Sequence, residues 1–110
     1  MTGVTPEQAA QRMTAEGASG VGANCGVGIM EAAAVCRRMR AVTTLPLWIK
    51  PNAGLPEFED GRVVYRCGAA DFAARIPDLI SAGAKVVGGC CGTGPEFIRA
   101  AARTLATLCA

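Results

Sequence analysis

The sequence predicts an α/β fold with a parallel sheet, its elements following the order αβαβαβα. Three observations predict it. Short runs of β-branched and small residues alternate with longer stretches whose apolar residues recur at helical spacing. Glycine or proline stands at nearly every junction between them. Strands that alternate with helices in this way pair in parallel through right-handed crossovers. At 110 residues the chain is at most one small domain.

The first helix starts at Thr5-Pro6-Glu7-Gln8, where Thr5 can cap, Pro6 suits the first helical position and Gln8 completes a capping box. Ala9, Ala10 and Met13 give it a modest apolar face, and Gly17 ends it. Ser19 to Asn24 follows as a strand of small residues. The second helix is expected from about Gly28 to Ala41, with Ile29, Ala32, Ala33, Cys36 and Met39 on its buried stripe. This makes Cys36 a core thiol. Arg37, Arg38 and Arg40 read as a solvated face that complements the helix dipole.

Leu45 to Lys50 is the second strand, with Pro46 at its start and a Pro51-Asn52-Ala53-Gly54 turn at its end. Leu55 to Gly68 reads as a long loop. It carries a small hairpin around Glu59-Asp60-Gly61-Arg62, flanked by Phe58 and Val63-Val64-Tyr65. The third helix spans about Ala70 to Ala82, with Phe72, Ala73, Ile76, Leu79 and Ile80 inward and Pro77 bending it. Lys85 to Gly89 is the third strand. Pro95 to Leu108 is the last helix, with Ile98, Ala101, Ala102, Leu105 and Leu108 inward.

Composition excludes several function classes. Apolar residues make up 51% of the chain and charged residues 18%, which excludes disorder. A net charge of +2 is too small to argue for nucleic acid or a membrane surface as partner. No apolar run approaches the roughly 20 residues of a membrane helix. The N-terminal residues lack the basic and apolar regions of a signal peptide, so the expected location is cytoplasmic. In that setting the six cysteines stay reduced rather than forming a disulfide framework. Histidine is absent, which removes Cys–His and Ser–His nucleophile pairs and leaves sulfur or oxygen as metal ligands.

The chemistry gathers just after the strands, the edge of a parallel α/β sheet where function collects. Val86-Val87 runs into Gly88-Gly89-Cys90-Cys91-Gly92-Thr93-Gly94-Pro95, and Val21-Gly22-Ala23-Asn24-Cys25-Gly26 has the same design. Neighbouring side chains on a strand point to opposite faces. For Cys90 and Cys91 to reach one point the backbone must leave β geometry, which Gly88, Gly89, Gly92 and Gly94 permit. With Cys25 they form a three-sulfur site with one open position, an arrangement suited to catalytic rather than structural zinc. Other readings are two core thiols, a vicinal Cys90–Cys91 disulfide under oxidising conditions, and Asn52 as a plain turn residue.

Gly22-Ala23-Asn24-Cys25, Lys50-Pro51-Asn52-Ala53-Gly54 and Gly88-Gly89-Cys90-Cys91-Gly92-Thr93 resemble the homocysteine S-methyltransferase family, in the family's order and over nearly the whole chain. The Pro-Asn-Ala-Gly turn looks closest to its methionine synthase branch. The resemblance implies a (β/α)8 TIM barrel that holds Zn2+ with three thiolates, here Cys25, Cys90 and Cys91. It implies that no catalytic residue is needed beyond the metal site. Asn52 matches a family asparagine near the zinc, whose side-chain oxygen fills the fourth position before substrate binds. Asn24 and Gly89 fall beside the ligands as metal-proximal or substrate-binding positions. Homocysteine then takes the open position, and its thiol is methylated to give methionine. The methyl donor is methyltetrahydrofolate through cobalamin, betaine or S-methylmethionine.

The departure from the family is length. A barrel of this kind takes about 250 residues, and residues 1–110 match only a partial homocysteine-binding domain, the C-terminal three strand–helix units. Three parallel strands cannot close, so two edges and the barrel-inner face are expected to stay open. The implied partners are a complementing chain or further copies in a homo-oligomer. The competing expectation is a non-catalytic zinc-binding fragment with a closed site, in which Asn52 or Cys67 is the permanent fourth ligand. No role is expected for Cys109.

Overall fold

A computed structural model of the chain describes residues 3–53, 56–65 and 68–108. Thr5 starts the first helix as expected. Its hydroxyl accepts from the Gln8 N–H at 3.1 Å, and the Gln8 side chain accepts from the Thr5 N–H at 2.9 Å. In chain order the elements are α1 (Pro6–Ala15), β1 (Val21–Gly28), α2 (Ile29–Arg40), β2 (Leu47–Asn52), β3 (Pro56–Glu59), β4 (Arg62–Tyr65), α3 (Ala69–Ala74), α4 (Ile76–Ser81), β5 (Ala84–Val87) and α5 (Pro95–Leu108).

β1, β2 and β5 form one parallel sheet in the order β1-β2-β5. β3 and β4 form a separate antiparallel hairpin. Its two-residue loop has Asp60 at φ 51° and Gly61 at φ 75°. That is the left-handed pair a tight hairpin turn needs, and Asp-Gly supplies it at little cost.

Several expectations change. β1 runs from Val21 to Gly28 instead of ending at Asn24, so Cys25 lies within the strand rather than just after it. β2 runs two residues past Lys50, because Pro51 and Asn52 continue the strand instead of turning. The third helix is two short helices, α3 and α4, that meet at Arg75. Pro77 has no N–H and its ring excludes the carbonyl four residues back. It therefore sits in the first turn of α4, where neither matters, and the helix breaks ahead of it. α5 turns Phe97 and Ala101 inward, while Ile98 stays 48% exposed and Leu108 faces solvent. Phe97 sets this rotation by packing edge-on against Phe72, with ring centroids 5.6 Å apart.

The core lies on one side of the sheet. Ile29, Ala32, Cys36 and Met39 of α2 meet Leu47 and Ile49 of β2, and Phe72, Ile76 and Leu79 close the group. Burial pushes the Cys36 thiol up from its ordinary pKa, against a smaller opposing pull from Arg40 and Arg37. Arg40 is not simply solvated. Its guanidinium donates to the carbonyls of Thr43 and Leu45 at 2.6 Å each and of Gly83 at 3.3 Å. Arg38 reaches back to Glu7 at 2.8 Å and ties α2 to α1.

The opposite face of the sheet is bare. Trp48 is 55% exposed and Val86 41% exposed. With Met13, Gly20, Val21, Gly22, Pro46 and Leu47 they line an open apolar hollow of about 400 Å³. The molecule is a slab only 18 Å through its thinnest direction, one sheet and one helix layer deep. No helix among the described residues is long and apolar enough to cross a membrane.

The two faces respond differently to truncation. Phe72→Ala should cost about 3–5 kcal/mol in urea unfolding. Trp48→Ala should cost far less, because that side chain is already largely in water. Equal losses would mean that the bare face is covered.

Candidate metal centre

The site is built at the C-terminal end of β2, between two places where the neighbouring strands leave regular geometry. On one side, β1 keeps register as far as Asn24 opposite Lys50 and regains it at Gly28 opposite Asn52. Cys25, Gly26 and Val27 therefore face the single residue Pro51, and the strand bulges. Cys25 sits in the bulge at φ 58°, a left-handed backbone that costs a non-glycine residue about 1–2 kcal/mol.

On the other side, β5 ends at Val87, but its chain still tracks β2. Gly88 N–H donates to Ile49 O, Cys90 N–H to Pro51 O and Ala53 N–H to Cys91 O, all at 3.0 Å. Pro51 has no N–H to return, so the ladder loses a rung where β5 ends. The chain then turns at Gly92, which has φ 79°. Of the four glycines in this stretch, Gly92 is the one in the left-handed region. Gly89 is needed for space, since a β-carbon there would strike the Thr93 side chain. The Thr93 hydroxyl donates to Cys90 O at 2.6 Å and pins the turn.

These departures bring three sulfurs together. Cys25, Cys90 and Cys91 have their Sγ atoms within 4.8 Å of one another, the one such grouping of metal-ligating residues among the described residues. The Cys25 and Cys91 sulfurs are 3.1 Å apart. Asn52 lies between their loops. Its Oδ1 accepts from the Cys91 N–H at 3.0 Å, and its Nδ2 donates to the Cys25 carbonyl. Asn24 precedes Cys25 on an exposed position of β1, and half-buried Gly89 precedes Cys90. Cys36 stands apart in the core, its Sγ 4.0 Å from Leu79 O. Cys67, Cys109 and Gly54 lie outside the described residues.

The donor set suits a thiophilic ion. At a zinc–sulfur distance of about 2.3 Å, tetrahedral ligands lie about 3.8 Å apart, and the sulfur separations of 3.1 Å and up to 4.8 Å bracket that value. Two parts of the arrangement escaped sequence reading. Thr93 gave a weak signal, a hydroxyl three residues after Cys90 in a glycine turn. The double engagement of Asn52 gave none, because it depends on how two other strands end.

A parallel α/β sheet with an all-cysteine cluster beside its strand ends defines a class of fold whose thiols could hold a metal ion. The comparisons narrow the class. The homocysteine S-methyltransferase family profile matches residues 1–105, and the chain belongs to that family. It is 33% identical over 87 residues to methionine synthase of Mycobacterium leprae, covering 78% of this chain and 7% of that protein. It is 34% identical over 126 residues to betaine–homocysteine S-methyltransferase 1 of Xenopus tropicalis, covering 96% of this chain and 30% of that one. The metallated crystal form of the homocysteine methyltransferase MmuM from Escherichia coli superposes with a TM-score of 0.63 at 27% identity, over 86% of this chain and 27% of that one. The chain thus spans less than a third of each of these relatives.

Thiol reactivity should follow the geometry. In a brief exposure of the reduced protein to iodoacetamide, peptide mapping should find exposed Cys91 modified and buried Cys36 spared. Rapid labelling of Cys36 would place it outside the core.

Proposed function

We propose that these residues form the thiol-activating, methyl-acceptor centre of a homocysteine S-methyltransferase. Cys25, Cys90 and Cys91 would hold zinc, and homocysteine would be methylated there to methionine. The observation that carries the reading is the meeting of three sulfurs from two strand ends, with no fourth protein sulfur among the described residues within reach. Zinc bound there would act as a Lewis acid that keeps a substrate thiol ionised at neutral pH, well below the ordinary thiol pKa of about 8.5.

The chain's own residues do the rest. With three protein sulfurs as ligands, a four-coordinate zinc would keep one position for a substrate thiol. Asn24 and Gly89, the neighbours of Cys25 and Cys90 in sequence, would receive the polar end of the amino acid, Asn24 through its exposed side chain. These 110 residues hold no histidine, so the chain's own residues offer no imidazole base, and none is needed once the thiol is ionised. In the transfer, a sulfur–methyl bond forms while the bond between methyl and donor breaks, and the bonding pair leaves with the donor. The donor would be methyltetrahydrofolate through cobalamin, betaine or S-methylmethionine.

A second reading has its own observation, the bare sheet face around Trp48 and Val86. A parallel sheet is normally covered on both sides. Here one face and the outer edges of β1 and β5 meet no further strand among the described residues. On this reading the 110 residues bind zinc but turn over only when further strands, from a complementing chain or other copies, cover that face.

Metal analysis tests the first reading. The reduced protein should bind one zinc. Cys25→Ala, Cys90→Ala and Cys91→Ala should each lose it, while Cys36→Ala keeps it. Retention by all three site variants would refute the assignment. Assay of the zinc-loaded chain with homocysteine and S-methylmethionine tests the second reading, which expects no methionine from the chain alone.

A further inference from the structure

The sheet order poses a problem that one side chain solves. β1 and β5 are not neighbours, since β2 lies between them. Yet Cys25, in the bulge of β1, and Cys91, after β5, have sulfurs 3.1 Å apart. The backbone ladder explains only half of this. Cys90 and Cys91 are fastened to the end of β2 by the Cys90 N–H to Pro51 O and Ala53 N–H to Cys91 O bonds, each 3.0 Å. On the other side, Cys25 lies in the bulge where β1 has lost register with β2, in a left-handed conformation at φ 58°.

Asn52 supplies the missing tie. It is the last residue of β2. Its Nδ2 donates to the Cys25 carbonyl, while its Oδ1 accepts from the Cys91 N–H at 3.0 Å. The two bonds also fix the orientation of the amide, because a flipped amide would set oxygen against a carbonyl and N–H against N–H. Only a side chain with one donor and one acceptor on the same planar group can serve both loops. Aspartate lacks the donor, and glutamine is one methylene longer.

We propose that Asn52 is the positioning residue of the three-sulfur centre: its amide staples the Cys25 bulge to the Cys91 turn across the end of β2, and the meeting of the sulfurs depends on it. The inference rests on the reading of the cysteines as a metal site. It gives Asn52 a different task from the one the resemblance implies. The oxygen that would fill the fourth position is engaged by the Cys91 N–H, and the staple acts whether or not a fourth ligand is present.

Trivalent arsenic separates the two tasks. It binds three thiolate sulfurs in a pyramid and takes no fourth donor, so its affinity reports the spacing of the sulfurs and not the fourth ligand. Arsenite is titrated into reduced, metal-free wild-type protein, Cys91→Ala, Asn52→Ala and Asn52→Leu, following sulfur-to-arsenic absorbance. Amide exchange at the Cys91 N–H is measured in the same samples.

Wild type should bind one arsenic, and Cys91→Ala should bind far more weakly. Both Asn52 variants should weaken by about tenfold to a hundredfold, the loss expected for two hydrogen bonds, and Cys91 exchange should quicken. Asn52→Leu keeps the side-chain shape, so it decides the matter if Asn52→Ala does not fold. Wild-type arsenic affinity in the Asn52 variants would overturn the staple, whatever those variants do to a fourth metal ligand. Equal binding by wild type and Cys91→Ala would instead overturn the metal-site reading, and the staple with it.

Discussion

Everything in this structure turns on bringing together sulfurs that a regular sheet would hold apart. Adjacent residues on a strand point to opposite faces, and strands two apart in a sheet are about 10 Å from each other. The chain meets both obstacles by giving up β geometry on either side of β2. β1 bulges opposite Pro51, placing Cys25 in a left-handed conformation. β5 stops where Pro51 offers no N–H, and the chain turns at Gly92. A proline in a central strand usually argues against the strand. Here it is buried in the middle of the sheet, facing β5 where that strand has ended, and the site is built beside it.

The rest of the fold holds that strand end still. α2 and the α3–α4 pair bury Leu47 and Ile49, the residues of β2 that point away from the bare face. The Phe72–Phe97 contact fixes α5, which follows directly from the cysteine turn. All of this packing lies on one side. The other side presents Trp48, Lys50 and Val86. The Lys50 ammonium lies 5.8 Å from the centre of the Trp48 ring, a contact worth about 0.5–1 kcal/mol at an exposed site. It is a small substitute for a packed layer. The family relatives are several times longer, and the bare face is where added strands would find apolar surface.

Most of the architecture was legible in the sequence because local signals agreed with one another. The capping box at Thr5, the stripe from Ile29 to Met39 and the Asp60-Gly61 hairpin each carry their structure within a few residues. What misled was non-local. Pro51 looked like a turn residue, because what tolerates it, the end of β5 at Val87 on the side where its N–H is missing, belongs to another strand. Ile98 looked inward by period, because the rotation of α5 is set by Phe72, 25 positions before Phe97. Arg40 looked solvated, because the carbonyls it caps belong to the loops after α2 and α4. The three cysteines were legible as a group from their glycine settings. That Asn52 ties two of them together was not, since its partners are backbone groups without a sequence signature.

The most direct test of the account is a count of sulfurs around the metal. X-ray absorption at the zinc edge, on the reduced zinc-loaded protein before and after adding homocysteine, supplies it. The account predicts three sulfurs and one lighter atom before, and four sulfurs after. Two sulfurs or fewer before homocysteine, or a shell unchanged by it, would contradict a three-thiolate centre built to take a fourth thiol.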